Sequence, residues 1–270
     1  MSQPLTRIAI LGASGRMGRA IIQTALATPT IELSAAVDRW DSAELGEDVG
    51  LFVGRPSSGV TLAHDLGAAA GSFDVVVDFS SPEATLAALE VCRQHKKGIV
   101  IGTTGFSDEQ KKAIDAASKD VPVCQSANFS IGVNVVLALL EQAAQLLGDR
   151  YDVEIVEAHH RQKVDAPSGT ALRMGEVVAR SLGRDLQQAA VYARQGQVGA
   201  RDGRAIGFAT VRGGDVIGDH SVLFLGEGER VEISHRATSR SNFAQGALRA
   251  ATWINGRKPG FYSMHDVLGL

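Results

Sequence analysis

The chain has 270 residues, 44% hydrophobic and 21% charged, with a formal net charge of -3, enough to bury a substantial core in one large or two modest domains. A slightly acidic chain with 5% aromatic residues lacks the basic footprint and stacking platforms of a nucleic-acid binder, so no nucleic-acid partner is expected. No apolar run reads as a bilayer span, residues 1–6 lack the apolar core of an export signal, and only Cys92 and Cys124 occur; the expectation is a cytoplasmic protein with no membrane partner and no disulfide framework.

The first element is a buried-strand pattern at 7–11 that runs into Gly12-Ala13-Ser14-Gly15-Arg16-Met17-Gly18 and then a helix carrying Met17, Ile21, Ala25 and Leu26. Strand, glycine turn and helix in that order make a dinucleotide-binding start. Gly12 permits the tight turn, Gly15 a close backbone approach to a pyrophosphate, and Gly18 close packing of helix on strand. A second strand at 31–37 ends in Asp38, twenty residues past Gly18, where an acid is expected on the adenosine ribose. Arg39 follows, a guanidinium able to pair with a 2′-phosphate or stack on adenine.

Strand-like runs at 73–79, 98–102 and 121–125 alternate with helical stretches at 82–95 and 107–119, extending the unit into a doubly wound parallel sheet. The turns Gly102-Thr103-Thr104-Gly105 and Ser126-Ala127-Asn128-Phe129 should share the carboxyl edge of that sheet, where small hydroxyls and backbone groups hold nicotinamide and ribose. Ser80 or Ser81 should cap the helix that Pro82 opens. A long helix from about 132 to 147, stopped by Gly148, leads into a second domain. There an acid-alternating strand at 152–158 delivers His159 and His160 at its carboxyl end. Arg161, Lys163 and a helix start at Ser168-Gly169-Thr170 follow, with Ala171, Met174, Val178 and Leu182 marking the helix face. Two imidazoles, two cations and outward N–H groups of Ser168, Gly169 and Thr170 suit an anionic substrate. Adjacent histidines on a strand point to opposite faces, and no Cys-x-x-Cys or His-Glu-x-x-His spacing adds ligands, so no metal is expected.

Strand candidates at 206–212, 216–226 and 229–236, the last two joined by Gly226-Glu227-Gly228, are too many without intervening helices for a Rossmann alternation; they indicate a mixed α+β domain. A helix at 242–254 and the tail from Gly256 should return to the first domain, and the glycine-rich 195–199 is the candidate mobile loop. The expected division is 1–130 for the dinucleotide, 131–240 for substrate and oligomerisation, and 241–270 for the return.

With these residues in place, the chain resembles the 4-hydroxy-tetrahydrodipicolinate reductase (dihydrodipicolinate reductase) family. The resemblance rests on Gly12-x-x-Gly15-Arg16-Met17-Gly18, Gly102-Thr103-Thr104-Gly105, Ala127-Asn128-Phe129-Ser130-x-Gly132-Val133-Asn134 and, most specifically, Glu157-Ala158-His159-His160-x-x-Lys163-x-Asp165-Ala166-Pro167-Ser168-Gly169-Thr170. It implies a Rossmann-like domain joined to a smaller α+β domain that builds a homotetramer. It implies hydride transfer from NADH or NADPH to a cyclic imine dicarboxylate on the diaminopimelate route to lysine. By the same resemblance His159 and Lys163 match proton donors, His160 a substrate contact, and Gly169 with Thr170 the carboxylate-binding turn. Gly12, Ala13, Ser14, Gly15, Arg16, Met17, Asp38, Arg39, Gly102, Thr103, Thr104, Ser126, Ala127, Asn128 and Phe129 match cofactor positions. The family often carries Glu where this chain has Asp38, and the shorter reach leaves the choice between NADH and NADPH open. A semialdehyde dehydrogenase, which shares the first domain, would need an exposed Cys to form its thioester. A non-catalytic NAD(P)-sensing regulator would have no use for the histidine and lysine segment.

Overall fold

A computed structural model describes residues 5–270, so the export-signal reading of residues 1–4 lies outside the described residues. In chain order the elements begin with β1 (Thr6–Leu11), α1 (Arg16–Ala25), β2 (Ile31–Val37), α2 (Val49–Phe52), β3 (Leu62–Ala63), β4 (Val75–Asp78), α3 (Pro82–His95), β5 (Gly98–Ile101), α4 (Asp108–Ala117) and β6 (Pro122–Gln125). Next come α5 (Ile131–Leu147), β7 (Asp152–His159), α6 (Gly169–Ser181), α7 (Leu186–Ala189), β8 (Ala190–Val191), β9 (Ile206–Arg212), β10 (Gly218–Leu225) and β11 (Arg230–Ala237). The chain closes with α8 (Ser241–Ile254), β12 (Gly260–Tyr262) and α9 (Met264–Leu268). Two compact units result, one of residues up to Ile131 with Arg240–Leu270, the other of Gly132–Ser239.

The first unit is a seven-stranded parallel sheet in the order β12-β6-β5-β4-β1-β2-β3, the Rossmann order with one strand added. Its strands are apolar without alternation because both faces are covered. Ile8 and Ile10 of β1 pack with Ile21, Ile22 and the α8 residues Ala247, Ala251 and Ile254, while Ala9 and Leu11 pack on the other face with Leu89, Cys92 and Ile114. Local chemistry sets the helix starts. The Ser81 hydroxyl accepts from the Ala84 N–H at 3.3 Å with Pro82 in the first turn, and Ser107 and Gln110 form a capping box on α4. Leu26, expected on the buried stripe of α1, is 39% exposed; Ile22 takes that place, because the helix ends at Ala25.

The second unit is a mixed five-stranded sheet, β11-β10-β7-β9-β8, in which β10 runs antiparallel to both neighbours and β7, β9 and β8 run parallel. Helices α5 and α6 supply Val136, Leu140, Met174 and Val178 to a core with Val153, Ile155, Phe208, Val222 and Phe224. Alternate residues on the same strands, among them Val156, Ala158, Ala209, Val211 and Leu223, fall on the opposite sheet face.

Ile131–Arg150 is a helical segment of 20 residues that is long and apolar enough to cross a membrane by length and composition. Asn134, Glu141, Gln142 and Gln145 hide it from a search for an uninterrupted apolar run, and one side of the helix packs into the second unit's core. The glycine-rich 195–199 lies outside regular structure, flanked by Arg194 and Arg201, which both bond Glu154.

Candidate active site

In the first unit, the turn after β1 is built by backbone bonds. Gly12 stands at φ 76°, and the N–H groups of Gly12 and Ala13 both donate to the Val37 carbonyl, at 3.0 and 3.2 Å. A Cβ on Gly18 would lie 2.2 Å from the Gly12 carbonyl oxygen, so only glycine allows α1 this close to the turn. Gly15 is the N-cap of α1 and brings no side chain to it, leaving the first-turn amides, beginning with Arg16 and Met17, to face outward where an anion is stabilised.

Beside that helix start is a cavity of about 740 Å³, lined by Gly12, Ser14, Gly15, Asp38, Arg39 and Phe79 among others. It is of the size and mixed polarity that holds small ligands. Asp38 is already engaged. Its Oδ2 accepts from the Ser14 N–H and hydroxyl, both at 2.7 Å, and its Oδ1 from the Arg39 N–H at 2.8 Å. Arg39 is mostly exposed and pairs with Asp41 at 3.0 Å. The cavity also takes in His64, Asp65, Leu66 and Gly67, which sequence reasoning missed because β3 before them is two residues long and shows no period.

Several expected cofactor residues turn inward. Ala13 is fully buried, and Phe129 is buried with its ring edge-on to Phe79 at 5.7 Å. The Thr103 hydroxyl donates to Asp78 Oδ2 at 3.0 Å and accepts from the Ser80 N–H at 2.9 Å. These three offer backbone rather than side chains to a ligand. Asp78 is completely buried, and burial pushes its carboxyl up while hydroxyls of Ser80, Thr85 and Thr103 hold it. Gly102 and Thr104 follow β5, and Ser126, Ala127 and Asn128 follow β6, at the carboxyl edge that carries the β1 turn, though outside the cavity lining. The Ser126 hydroxyl donates to the Asn128 carbonyl at 2.8 Å, folding that turn on itself. A helix start without a side-chain cap, glycines where backbone must be approached, and a cavity next to them fit a nicotinamide dinucleotide.

In the second unit, β7 and the start of α6 bring the histidine segment together. His159 is buried, with Nδ1 2.5 Å from Glu157 Oε2, and its ring lies edge-on to His220 at 5.0 Å. Glu157 also receives the Arg212 guanidinium through two contacts of 2.8 Å and the Ser168 N–H at 3.1 Å. The expectation that Ser168 offers its N–H outward is therefore corrected, since Glu157 takes it. The Ser168 hydroxyl caps α6 by accepting from the Ala171 N–H at 3.2 Å and lies 2.9 Å from His220 Nε2. Gly169 and Thr170 form the first turn, and a Cβ on Gly169 would meet nothing within 4 Å. Lys163 is half-buried and bonds Asp165 at 2.8 Å, while half-buried His160 gives its carbonyl to the Lys163 N–H.

The electrostatics follow from this packing. Burial, the largest influence, pulls His159 below its ordinary value; Glu157 works against that, and Lys163 and Arg212 add to it. Burial pushes Glu157 up, but Arg212, His159 and the Ser168 N–H outweigh it and hold the carboxylate below its usual range. His220 is pulled down to about 4 by burial, then by His159. Glu157, Arg212 and His220 are the members that sequence reasoning did not assign. Cys92 and Cys124 are buried, free thiols pushed up to about 12 chiefly by burial, unsuited to a thioester-forming nucleophile.

The family model described as dihydrodipicolinate reductase, N-terminus, matches residues 6–129, and that described as dihydrodipicolinate reductase, C-terminus, matches 132–268. Among solved structures, a dipicolinate-bound dihydrodipicolinate reductase from Paenisporosarcina sp. TG-14 is 27% identical with a TM-score of 0.77, covering 97% of this chain and 99% of that one. An amine dehydrogenase from Mycobacterium smegmatis (13% identity, TM-score 0.59, 96% and 95% covered) and an apo scyllo-inositol dehydrogenase from Lactobacillus casei (14%, 0.58, 99% and 93%) share the fold.

Proposed function

Because the chain belongs to the dihydrodipicolinate reductase family, we propose that its two units divide the work of one reduction between cofactor and substrate. It is an NAD(P)H-dependent oxidoreductase of the diaminopimelate route to lysine, reducing 4-hydroxy-2,3,4,5-tetrahydrodipicolinate to tetrahydrodipicolinate with loss of water. Bound NADH or NADPH supplies the hydride.

The chain from 1 to 130, with 241–270 returning to it, holds the cofactor. Gly12, Ser14, Gly15, Asp38 and Arg39 take the adenosine end, and the amides of Arg16 and Met17 the diphosphate, with Ala13 supporting the turn from within. The backbone of Gly102, Thr103, Thr104, Ser126, Ala127, Asn128 and Phe129 takes the nicotinamide end. Asp38 accepts from a free ribose and Arg39 pairs with a 2′-phosphate, so both cofactors serve. Residues 131–240 hold the substrate. The N–H groups of Gly169 and Thr170 bind one carboxylate at the positive end of α6, and His160 binds beside them.

Reduction beside a C=N bond leaves an enamine-like anion that must be protonated and whose charge must be tolerated in the transition state. His159 and Lys163 do both. A dianionic substrate draws His159 back toward its protonated form, countering the burial that keeps it neutral in the free enzyme. The observation that carries the reading is the burial of His159 beside the α6 start, with Glu157 bonded to both. The open sheet face of the second unit supports a homotetramer, and the two free buried thiols support a cytoplasmic location.

The test generates the imine in situ from pyruvate and aspartate semialdehyde with the preceding synthase and follows oxidation of NADH and of NADPH. The parent oxidises both. His159→Gln or Lys163→Ala lowers kcat by about 10²–10⁴-fold with cofactor affinity retained. Absence of substrate-dependent oxidation of either cofactor defeats the assignment.

A further inference from the structure

Glu157 is 1% exposed, yet four polar groups converge on its carboxylate. Oε2 meets His159 Nδ1 at 2.5 Å and Arg212 Nη1 at 2.8 Å; Oε1 accepts from Arg212 Nη2 at 2.8 Å and from the Ser168 N–H at 3.1 Å. Arg212 and the backbone can only donate. With both oxygens taken by donors, an ionised carboxylate has no proton to give, so His159 must donate through Nδ1. In the neutral imidazole Nε2 is then the bare nitrogen and the one that gains and loses the working proton. Nε2 has no hydrogen-bond partner among the described residues. A Cβ on Gly218 would come within 3.0 Å of it, so glycine at the start of β10 keeps that side clear.

We propose that Glu157 is a positioning residue of the reduction: it fixes His159 as the Nδ1–H tautomer with Nε2 toward the substrate, and by holding the Ser168 N–H it sets the carboxylate-binding start of α6 in register with that nitrogen. Arg212 completes the device. Its Nη2 also donates to the Asp165 carbonyl at 2.7 Å, tying the loop that carries Lys163 to the same carboxylate. One buried carboxylate thus ties together the proton donor, the anion-binding turn and the lysine loop. This rests on the proton-donor reading of His159. The charged and titratable groups that face His159 are Glu157 from β7, Lys163 from the loop before α6, Arg212 from β9 and His220 from β10, with His235 of β11 behind His220; α6 contributes the uncharged Ser168.

Two measurements on the full-length chain test it. In ¹⁵N-histidine-labelled enzyme, two-bond nitrogen–proton correlations report the neutral tautomer of His159, assigned by its loss in His159→Gln. The Nδ1–H form supports the proposal, and the Nε2–H form overturns it without recourse to any Glu157 variant. In the second, kcat is followed against pH for the parent, Glu157→Gln, Glu157→Asp and His159→Gln. Removing the charge that favours the imidazolium leaves burial, Lys163 and Arg212 unopposed, so Glu157→Gln moves the His159 inflection to lower pH. It also lowers kcat roughly 10²-fold or more, as loss of a tautomer-fixing carboxylate does, with NADH affinity unchanged. Glu157→Asp recovers part of kcat and returns the inflection toward the parent. A Glu157→Gln enzyme with the parent's kcat and inflection overturns the role of Glu157 while His159→Gln remains crippled. Near-normal turnover in His159→Gln overturns the functional reading beneath it.

Discussion

His220 ties stability to pH at the scale of a single residue. It is 4% exposed and pulled down to about 4 by burial first and by His159 second, while Nε2 rests on the Ser168 hydroxyl and Nδ1 has no partner among the described residues. Its folded value lies below its unfolded value near 6.5, so between those limits the unfolded chain binds the extra proton. Stability is full above pH 6.5 and is lost as pH falls toward 4. At about 1.4 kcal/mol per unit the loss approaches about 3 kcal/mol. Urea unfolding at stepped pH reads this directly. His220→Gln should start less stable at pH 7.5 and then lose much less on acidification; parallel curves for variant and parent would refute the role. None of this was legible beforehand. Asp38 and the His159-His160 pair stand out in sequence because motif spacing marks them. By contrast, His220 lies 52 residues from Ser168 and Arg212 lies 55 from Glu157, so only strand pairing brings them together. Glu157 was in view, and its parity with Val153 and Ile155, opposite Asp152 and Glu154, already set it on the inward face; what the strand pattern did not show was which groups would meet it there.

At the scale of the element, β1, β2, α3 and α6 were legible because each has a full period of burial and a marked end: Gly12, Asp38, Ser81 with Pro82, Ser168. The missed elements, α2, β3, α7, β8, β12 and α9, run from two to five residues, too short for a period, and exist because a neighbour offers a paired edge or a cap. The start of α6 carries the element-scale prediction. Beyond its chain neighbours and its own helix backbone, a Cβ at Gly169 meets nothing within 4 Å among the described residues, so Gly169→Val is accommodated by the fold and crowds what approaches the first-turn amides. Spoiling a charge-assisted hydrogen bond there costs about 1.5–3 kcal/mol, hence roughly a 10- to 100-fold rise in imine KM and in the inhibition constant of pyridine-2,6-dicarboxylate. NADH affinity is the control, because the dinucleotide residues belong to the other unit. Unchanged dicarboxylate inhibition in a folded variant would move the carboxylate site away from this helix.

At the scale of the molecule, the same sheet that aims His159 inward leaves residues of its other face, Ala209 and Val211 among them, exposed among the described residues. Strand pairing sets Val156 beside Ala209, Ala158 beside Val211, and Leu223 beside Glu154, so an apolar patch lies next to Glu154 and its partners Arg194 and Arg201. Val211 is 53% exposed. Such a face, apolar at its middle with charge nearby, is what an isologous contact between copies of one chain requires, since each partner presents the same patch to the other. Covering it would remove apolar surface from water at about 25 cal/mol per Å² and bury the last uncovered side of the sheet. One isologous contact closes a pair, so the homotetramer that the family resemblance implies is expected to join two such pairs through a second contact. In sedimentation equilibrium the parent should behave as four chains at micromolar concentration, and Val211→Asp with Leu223→Arg should shift it to smaller species. The substituted residues lie on the face opposite Glu157 and His159, so the variant should keep NADH affinity even where turnover falls. A parent that sediments as one chain, or a doubly substituted chain that still sediments as four, would show that this face is not where the copies meet.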